Sequence, residues 1–499
     1  MAAQGDPKRW LALPVLLVGA FLPILDFNVV NLALPAIRRT LRASGADLQF
    51  VISAYATTYA VFLITGGRLG DLLGRRKMFL LGVAGFTLAS ALCGMAWSPR
   101  ALIAGRILQA VTATAMAPQV LASIRVLFPP QEQARALGLY GATFGFANIA
   151  GQILGGVLVF AHPFGLGWQA IFLVNVPIGL AAFAGACMFL GDSRSEHAKA
   201  LDFGGVILLS AALILLIYPL ISGRDQGWPT WILILLALSP VALAAFVLFE
   251  RRIGRAGGAP LVELRLFFEP GIAIGVAMAM LFYMLSAFYL TFSIYLQSGL
   301  GLDALSAGLR TLPFGLGYFA ASFLAAAILR RLGRRALTLG FAVQAVGFGI
   351  VAASADAASQ AWLEPGLVMA GLGFGIVMPT IIGAVIGGVD QRHAGLASGL
   401  VMSTFQIGAA LGVAIVGGIF FAILGERTSP AAFAQAFSGA LGCNVALLVA
   451  GGLLSLRLPI SAPASGASRP PTRPWRGNRK SENTGPATTA DRDRGNAGH

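Results

Sequence analysis

The sequence predicts an all-α integral membrane protein of fourteen transmembrane helices, on three observations. The chain is 57% hydrophobic and 11% charged, with a mean hydropathy of +0.80, whereas soluble proteins are about a quarter charged. Its apolar residues gather in runs close to the ~20 residues that a helix needs to cross a bilayer. The runs also repeat, as six, then two, then six, with a basic connection at the same place in each set of six.

In chain order the spans fall at about 11–36, 47–70, 77–97, 101–124, 135–160, 168–190, 203–221, 231–249, 271–297, 304–329, 336–355, 362–388, 395–424 and 436–457. Lys8 and Arg9 precede the first run as in a signal peptide, but the run is too long and no small-x-small site closes it. It is expected to be an uncleaved span. Residues 1–190 and 270–457 are then two six-helix bundles, and 191–269 is a linker carrying two extra helices. Residues 458–499, rich in Pro, Ser, Gly, Arg and Asn, cannot bury a core and are expected to be disordered.

Orientation follows from the bases. Connections holding Arg75/Arg76/Lys77, Arg125/Arg135, Arg251/Arg252/Arg255 and Arg330/Arg331/Arg334/Arg335 alternate with connections nearly free of them. The positive-inside rule puts these, and both termini, in the cytoplasm. Arg38, Arg39 and Arg42 disobey and are outvoted. The net charge of +15 would suggest nucleic acid in a soluble chain. Here it is concentrated in loops and tail, which favours anionic lipids of the inner leaflet and no nucleic acid. Cys93, Cys187 and Cys443 lie in apolar runs without metal-ligand spacing and are expected to be small packing residues.

The first span carries Asp26, the lone deep acid of the first half. A carboxylate at that depth is costly, so it is paired or functional. It lies about 24 Å along the helix, in the outer half of the bilayer. Arg106, about one to two turns into the fourth span, shares that half and is the natural partner. Gln109 follows Arg106 at i+3, on the same face. Asn28 and Asn31 are about 60° apart on the helical wheel, with Asp26 roughly 140–160° from either. One straight helix cannot aim all three into one cavity.

Between the second and third spans lies Gly67-Arg68-Leu69-Gly70-Asp71-Leu72-Leu73-Gly74-Arg75-Arg76-Lys77, expected as a short cytoplasmic loop. Asp71 there can cap a helix N-terminus and pair with loop arginines. Such a latch, made of Gly67, Asp71, Gly74, Arg75 and Arg76, stabilises one conformation and releases in another. The fifth span carries Gly138, Gly141, Gly145, Gly151, Gly155 and Gly156, a smooth face for close helix approach. Asn31, Gln109, Gln152 and Gln406 are the candidates for hydrogen bonding to a substrate. No Gly-x4-Gly-Lys-Ser/Thr loop is present, so the chain does not hydrolyse ATP. Its four histidines are scattered without metal spacing, and no polar catalytic cluster is visible. Neither an enzyme nor a cofactor is expected.

These residues together resemble the fourteen-span drug:proton antiporters of the major facilitator superfamily, over about residues 10–457. The likeness rests on Leu25-Asp26 with Val30-Asn31-Leu32-Ala33-Leu34-Pro35, on the Asp71 loop, and on Arg106-x-x-Gln109. Trp168-Gln169-Ala170-Ile171-Phe172-Leu173-Val174-Asn175-Val176-Pro177-Ile178-Gly179 adds to it, as do Gly227-Trp228 and Phe249-Glu250-Arg251-Arg252 leading to Pro260-Leu261. Gln152, Ala110 and Asn28 stand where that family has proline, glycine and threonine. The resemblance implies the major facilitator fold in a bacterial cytoplasmic membrane. It further implies efflux of a small lipophilic or cationic amphiphile against protons, with Asp26 as proton site and Arg106 assisting. A periplasmic adaptor is implied if the host is Gram-negative. Uptake or facilitated diffusion on the same fold is the alternative, since fold does not fix direction.

Overall fold

The computed structural model describes residues 9–193, 202–262, 264–333, 335–355, 361–387 and 394–458. The predicted tail lies outside them from residue 459 onward. We number the long helices α1 (Arg9–Leu41), α2 (Gly45–Leu73), α3 (Arg75–Gly94), α4 (Pro99–Leu127) and α5 (Pro130–Ala161). The sixth, α6 (Ala170–Phe189), is followed by α7 (Phe203–Asp225) and α8 (Thr230–Arg255). The second half comprises α9 (Gly271–Gly299), α10 (Ala304–Leu332), α11 (Arg335–Ala353), α12 (Leu363–Gly387), α13 (Ala394–Leu424) and α14 (Pro430–Ser455). Thirteen have the length and apolarity to cross a membrane, and α10, 29 residues long, occupies the remaining predicted position.

Polar caps start these helices where the sequence turns apolar. Ser44 and Asp47 form a capping box on α2, and Ser98, Asp202, Asp303 and Ser429 each accept a backbone N–H at the start of α4, α7, α10 and α14. The Asp303 carboxyl is held below its usual range by the Ser306 backbone and hydroxyl donors. Two helices are locally irregular. α6 is interrupted at Val174, between Ala170–Leu173 and Asn175–Phe189, and α9 tightens at Met284–Ser286 and ends in a π turn over Tyr295–Gly299.

The Asp71 segment is not the loop that its composition suggests. α2 continues to Leu73, so Gly67, Arg68 and Asp71 are helical, and Gly74 alone joins α2 to α3. Its φ of 105° suits glycine. At ~1.5 Å per residue, 29 residues span about 44 Å, so α2 overruns a ~30 Å hydrocarbon core and carries the motif out on its last turns. The same overrun puts Arg38 and Arg39 on the last turn of α1.

The packing is duplicated. In the first half α4 packs on α2 and α3, α3 on α6, and α1 on α5 and α6. In the second, α12 packs on α10 and α11, α11 on α14, and α9 on α13 and α14. The halves meet along α2–α13 and α5–α10, again a swapped pair. Backbone approach is equally close at corresponding helix pairs: a Cβ on Gly66 would stand 1.9 Å from the Thr114 carbonyl oxygen, and one on Gly371 2.0 Å from that of Phe314. Membrane helices, which gain no hydrophobic driving force against lipid, hold together through such contacts. The extra helices α7 and α8 pack on each other, and α7 rests on α2 and α13.

Gly66→Val is therefore expected to destabilise the solubilised protein by about 1–3 kcal/mol through overpacking. Gly141→Ala, where an added Cβ meets nothing within 4 Å, is expected to be neutral or to stabilise by up to ~1 kcal/mol. Thermal unfolding in detergent checks both, and equal losses would contradict the packing described.

Candidate functional site

Five helices converge on Asp26. The side chain is 0% exposed, as is that of Arg106, whose Nη1 donates to Asp26 Oδ2. The other carboxylate oxygen, Oδ1, accepts from Gln109 Nε2 at 2.8 Å and from Asn175 Nδ2 at 3.0 Å. Gln109 Nε2 also donates to Ser90 Oγ on α3 at 2.8 Å, and Gln109 Oε1 accepts from Arg106 at 2.7 Å. Arg106 Nε donates to the Val51 carbonyl of α2 at 3.1 Å. The guanidinium carbon lies 4.1 Å from the centre of the Tyr55 ring and 5.9 Å from that of Phe172. The interruption at Val174 places Asn175 at the start of a new helical segment, facing this cluster. Taking two charges out of water offsets most of their attraction, but removing one partner strands the other at a cost of about 3–5 kcal/mol.

A cavity of about 1200 Å³ lies between the halves. Six of the chain's eight tyrosines line it: Tyr55, Tyr59, Tyr140, Tyr283, Tyr289 and Tyr318. Asn28, Gln119, Asn148 and Gln406 add amides to the wall. Its charged residues, Arg68, Asp71, Arg75 and Arg125, belong to the ends of α2, α3 and α4 beside the α2–α3 and α4–α5 turns. At the opposite end the halves touch directly: Gln49 Nε2 donates to the Val413 carbonyl at 2.7 Å and Gln297 Nε2 to that of Leu32 at 2.8 Å. Asp26 does not line the cavity. Tyr55 stands between the two, lining the cavity while stacking on Arg106. No residue of α7 or α8 contributes to the wall, although Leu261 and Val262 just beyond α8 do.

The structure brings Asp26, Arg106 and Gln109 into one cluster and separates the other candidates. Of the four proposed substrate contacts, Gln406 lines the cavity and three do not. Gln109 is committed to Asp26. Asn31 Nδ2 bonds back to the Phe27 carbonyl at 2.8 Å, and Gln152 Nε2 donates to Asn28 Oδ1 at 3.3 Å. Amides inside a span find partners on their own helix or on the helices packed around them, so polarity alone does not aim them at a cavity. The latch residues also divide. Gly67 lines the cavity, Asp71 pairs with Arg75 at 3.0 Å, and Arg76 reaches the Cys187 carbonyl at the end of α6 at 2.9 Å. The described hydrogen bonds of Asp71 include no helix cap; the helix that follows starts directly at Gly74 with no side-chain cap. Tyr55, Ser90 and Asn175 were missed by sequence reasoning. Asn175 lies within the Trp168–Gly179 stretch quoted above, the one signal that pointed to it.

Another ion pair secures the start of α1 to α5. Arg9 Nε lies 2.8 Å from Glu132 Oε2, and this donor holds the Glu132 carboxyl below its usual range.

The family profile described as Major Facilitator Superfamily matches residues 16–413. The chain is 38% identical to the probable actinorhodin transporter of Streptomyces coelicolor, over 86% of this chain and 75% of that one. It is 34% identical to the tetracenomycin C resistance and export protein of Streptomyces glaucescens, over 85% and 78%, and 32% identical to the multidrug resistance protein Stp of Mycobacterium tuberculosis, over 83% and 76%. Among solved structures it is similar to a bacterial homolog of the human lysosomal transporter Spinster in an inward-facing conformation, with TM-score 0.65 at 16% identity over 91% and 97% of the chains. A D-xylose–proton symporter gives TM-score 0.64 at 14% identity over 90% and 98%. The duplicated bundles, the cavity between them and these matches agree: the chain is a membrane transporter, not an enzyme, and belongs to the Major Facilitator Superfamily.

Proposed function

We propose that this transporter exports small aromatic, lipophilic compounds from the bacterial cytoplasm in exchange for protons, both termini lying in the cytoplasm. The observation that carries the reading is the placement of Asp26: sealed from the cavity, bound to Arg106, and separated from any substrate by one tyrosine ring. The export relatives support the direction. Basic residues at the α2–α3 and α4–α5 turns support a cytoplasmic position for the charged end of the cavity, and in that orientation this is the state that loads substrate.

With Asp26 ionised, its charge holds Arg106, and Arg106 holds Val51 and Tyr55 of α2. A proton on Asp26 cancels the attraction and frees the guanidinium to move. A substrate pressing on Tyr55 bears on the same guanidinium from the other side, so the two ligands compete through one side chain, as exchange requires. The cavity also informs substrate charge. Among the described residues the one carboxylate lining it, Asp71, is already paired with Arg75. Aromatic walls and tyrosine hydroxyls suit planar, hydroxylated rings, while a lipophilic cation finds no free acid there. Of the lipophilic or cationic substrates expected from the sequence, this reading favours lipophilic ones that are neutral or anionic.

Asp26→Asn is expected to insert and fold but to lose transport driven by a pH gradient; intact proton-driven transport in this variant would remove Asp26 from the coupling. Tyr55→Phe is expected to keep the ring and the coupling, whereas Tyr55→Ala transports substrate without moving protons. Everted vesicles fitted with a lumenal pH indicator distinguish these, and co-movement of substrate and proton in one direction would establish symport instead. In the same vesicles a neutral or anionic polycyclic dye is expected to move about tenfold faster than a cationic dye of equal size, since one unmade charge-assisted hydrogen bond amounts to roughly 1.4 kcal/mol.

A further inference from the structure

The segment joining the extra helices to the second half is held by side chains from three directions. Arg68 on α2 donates to the Ala259 carbonyl at 2.9 Å and to that of Pro260. In return Asp202, ahead of α7, accepts the Leu261 N–H at 3.0 Å, and Glu250 on α8 accepts the Val262 N–H at 2.9 Å. Leu261 and Val262 are cavity wall, so these bonds fix part of that wall.

The two acids are buried against each other. Glu250 is 1% exposed and Asp202 7%. A Cβ on Gly205 would fall 2.3 Å from Glu250 Oε1 and 2.6 Å from Asp202 Oδ2, so only glycine leaves room for the facing oxygens. Asp202 spends Oδ1 on the Gly205 N–H and Oδ2 on Leu261. Glu250 Oε1, by contrast, is buried with no hydrogen-bond donor from the protein. An ionised carboxylate only accepts hydrogen bonds, and two of them side by side repel. Among the described residues the charged groups facing Glu250 are Asp202 and Arg68, and the strap from Ala259 to Val262 carries no charge. Among the described residues no group of three potential ligands could hold a metal ion, and the Arg68 guanidinium close by disfavours a second cation.

We propose that Asp202 and Glu250 form a second proton-binding site, with one proton taken from water and shared between Glu250 Oε1 and the Asp202 carboxyl, which clamps the Ala259–Val262 strap to the cavity wall. The site is separate from Asp26 and independent of the substrate and direction of transport. Raising the pH removes the shared proton, sets two negative charges side by side, and releases the Leu261 and Val262 amides.

Hydrogen exchange on the full-length protein in detergent, corrected for the intrinsic pH dependence of exchange, reads those two amides directly. In the native chain their protection is expected to fall about tenfold between neutral and alkaline pH, the loss of one net hydrogen bond. Glu250→Gln cannot ionise, still accepts from Val262 and offers an N–H to Asp202, so its protection is expected to stay constant with pH. Asp202→Asn also removes one of the two charges but keeps one acceptor oxygen for the Gly205 and Leu261 N–H groups, so if the glutamine variant does not fold it serves through the Val262 amide alone, whose protection is expected to stay constant with pH. Protection independent of pH in the native chain would overturn the proposal. So would an unchanged pH dependence in either variant, or restoration of protection at alkaline pH by sodium ion, which would make the ligand a metal cation.

Discussion

Five of the first six helices are arranged around a charge that hydrocarbon does not tolerate. Asp26 is sealed from solvent and from the cavity, and its two oxygens take three donors from α4 and α6. Arg106 needs Val51 and the Tyr55 ring as well as Asp26. An apolar bundle can house these two charges only while both remain satisfied. That requirement ties α1, α2, α4 and α6 together, which is why the proposed exchange reading puts its proton on Asp26.

The second half repeats the packing without repeating the charge. α9 and α12 occupy the places of α1 and α4, yet α9 carries no acid, and its wall to the cavity is aromatic. The duplication supplies the surfaces along which the halves meet, while the asymmetry leaves the buried ion pair to the first half and lets both halves line the cavity. The extra helices lie beside the α2–α13 seam and touch the cavity through the strap that follows α8.

Much of this was legible in the sequence because membranes impose strong constraints. Apolar run length gave all fourteen helices, and a lone acid inside a span identified Asp26. Helix rise alone placed Arg106 at matching depth, and the helical wheel foretold that Asp26 and Asn28 face different ways: one is in the bundle, the other on the cavity wall. What failed was the fate of neutral polar residues. Asn31 bonds back to its own helix and Gln152 to a neighbouring one, and Ser90 and Asn175 are as unremarkable in sequence as any buried serine or asparagine. Helix rotation decides which of them meets the carboxylate, and rotation is set by close contacts such as Gly66 on Thr114. The Asp71 segment misled for another reason: glycines and charges suggest a loop, but α2 is long enough to leave the membrane before it turns.

The most direct test of the central pair is a double-mutant cycle on thermal stability in detergent, using Arg106→Met, Asp26→Asn and the two combined. The asparagine keeps an oxygen for Gln109 and Asn175, so the cycle isolates the charge. Arg106→Met alone is expected to lose about 3–5 kcal/mol by stranding Asp26, and adding Asp26→Asn to restore roughly 2 kcal/mol or more. Additivity within about 0.5 kcal/mol would contradict the account, because it would mean that the two charges do not depend on each other.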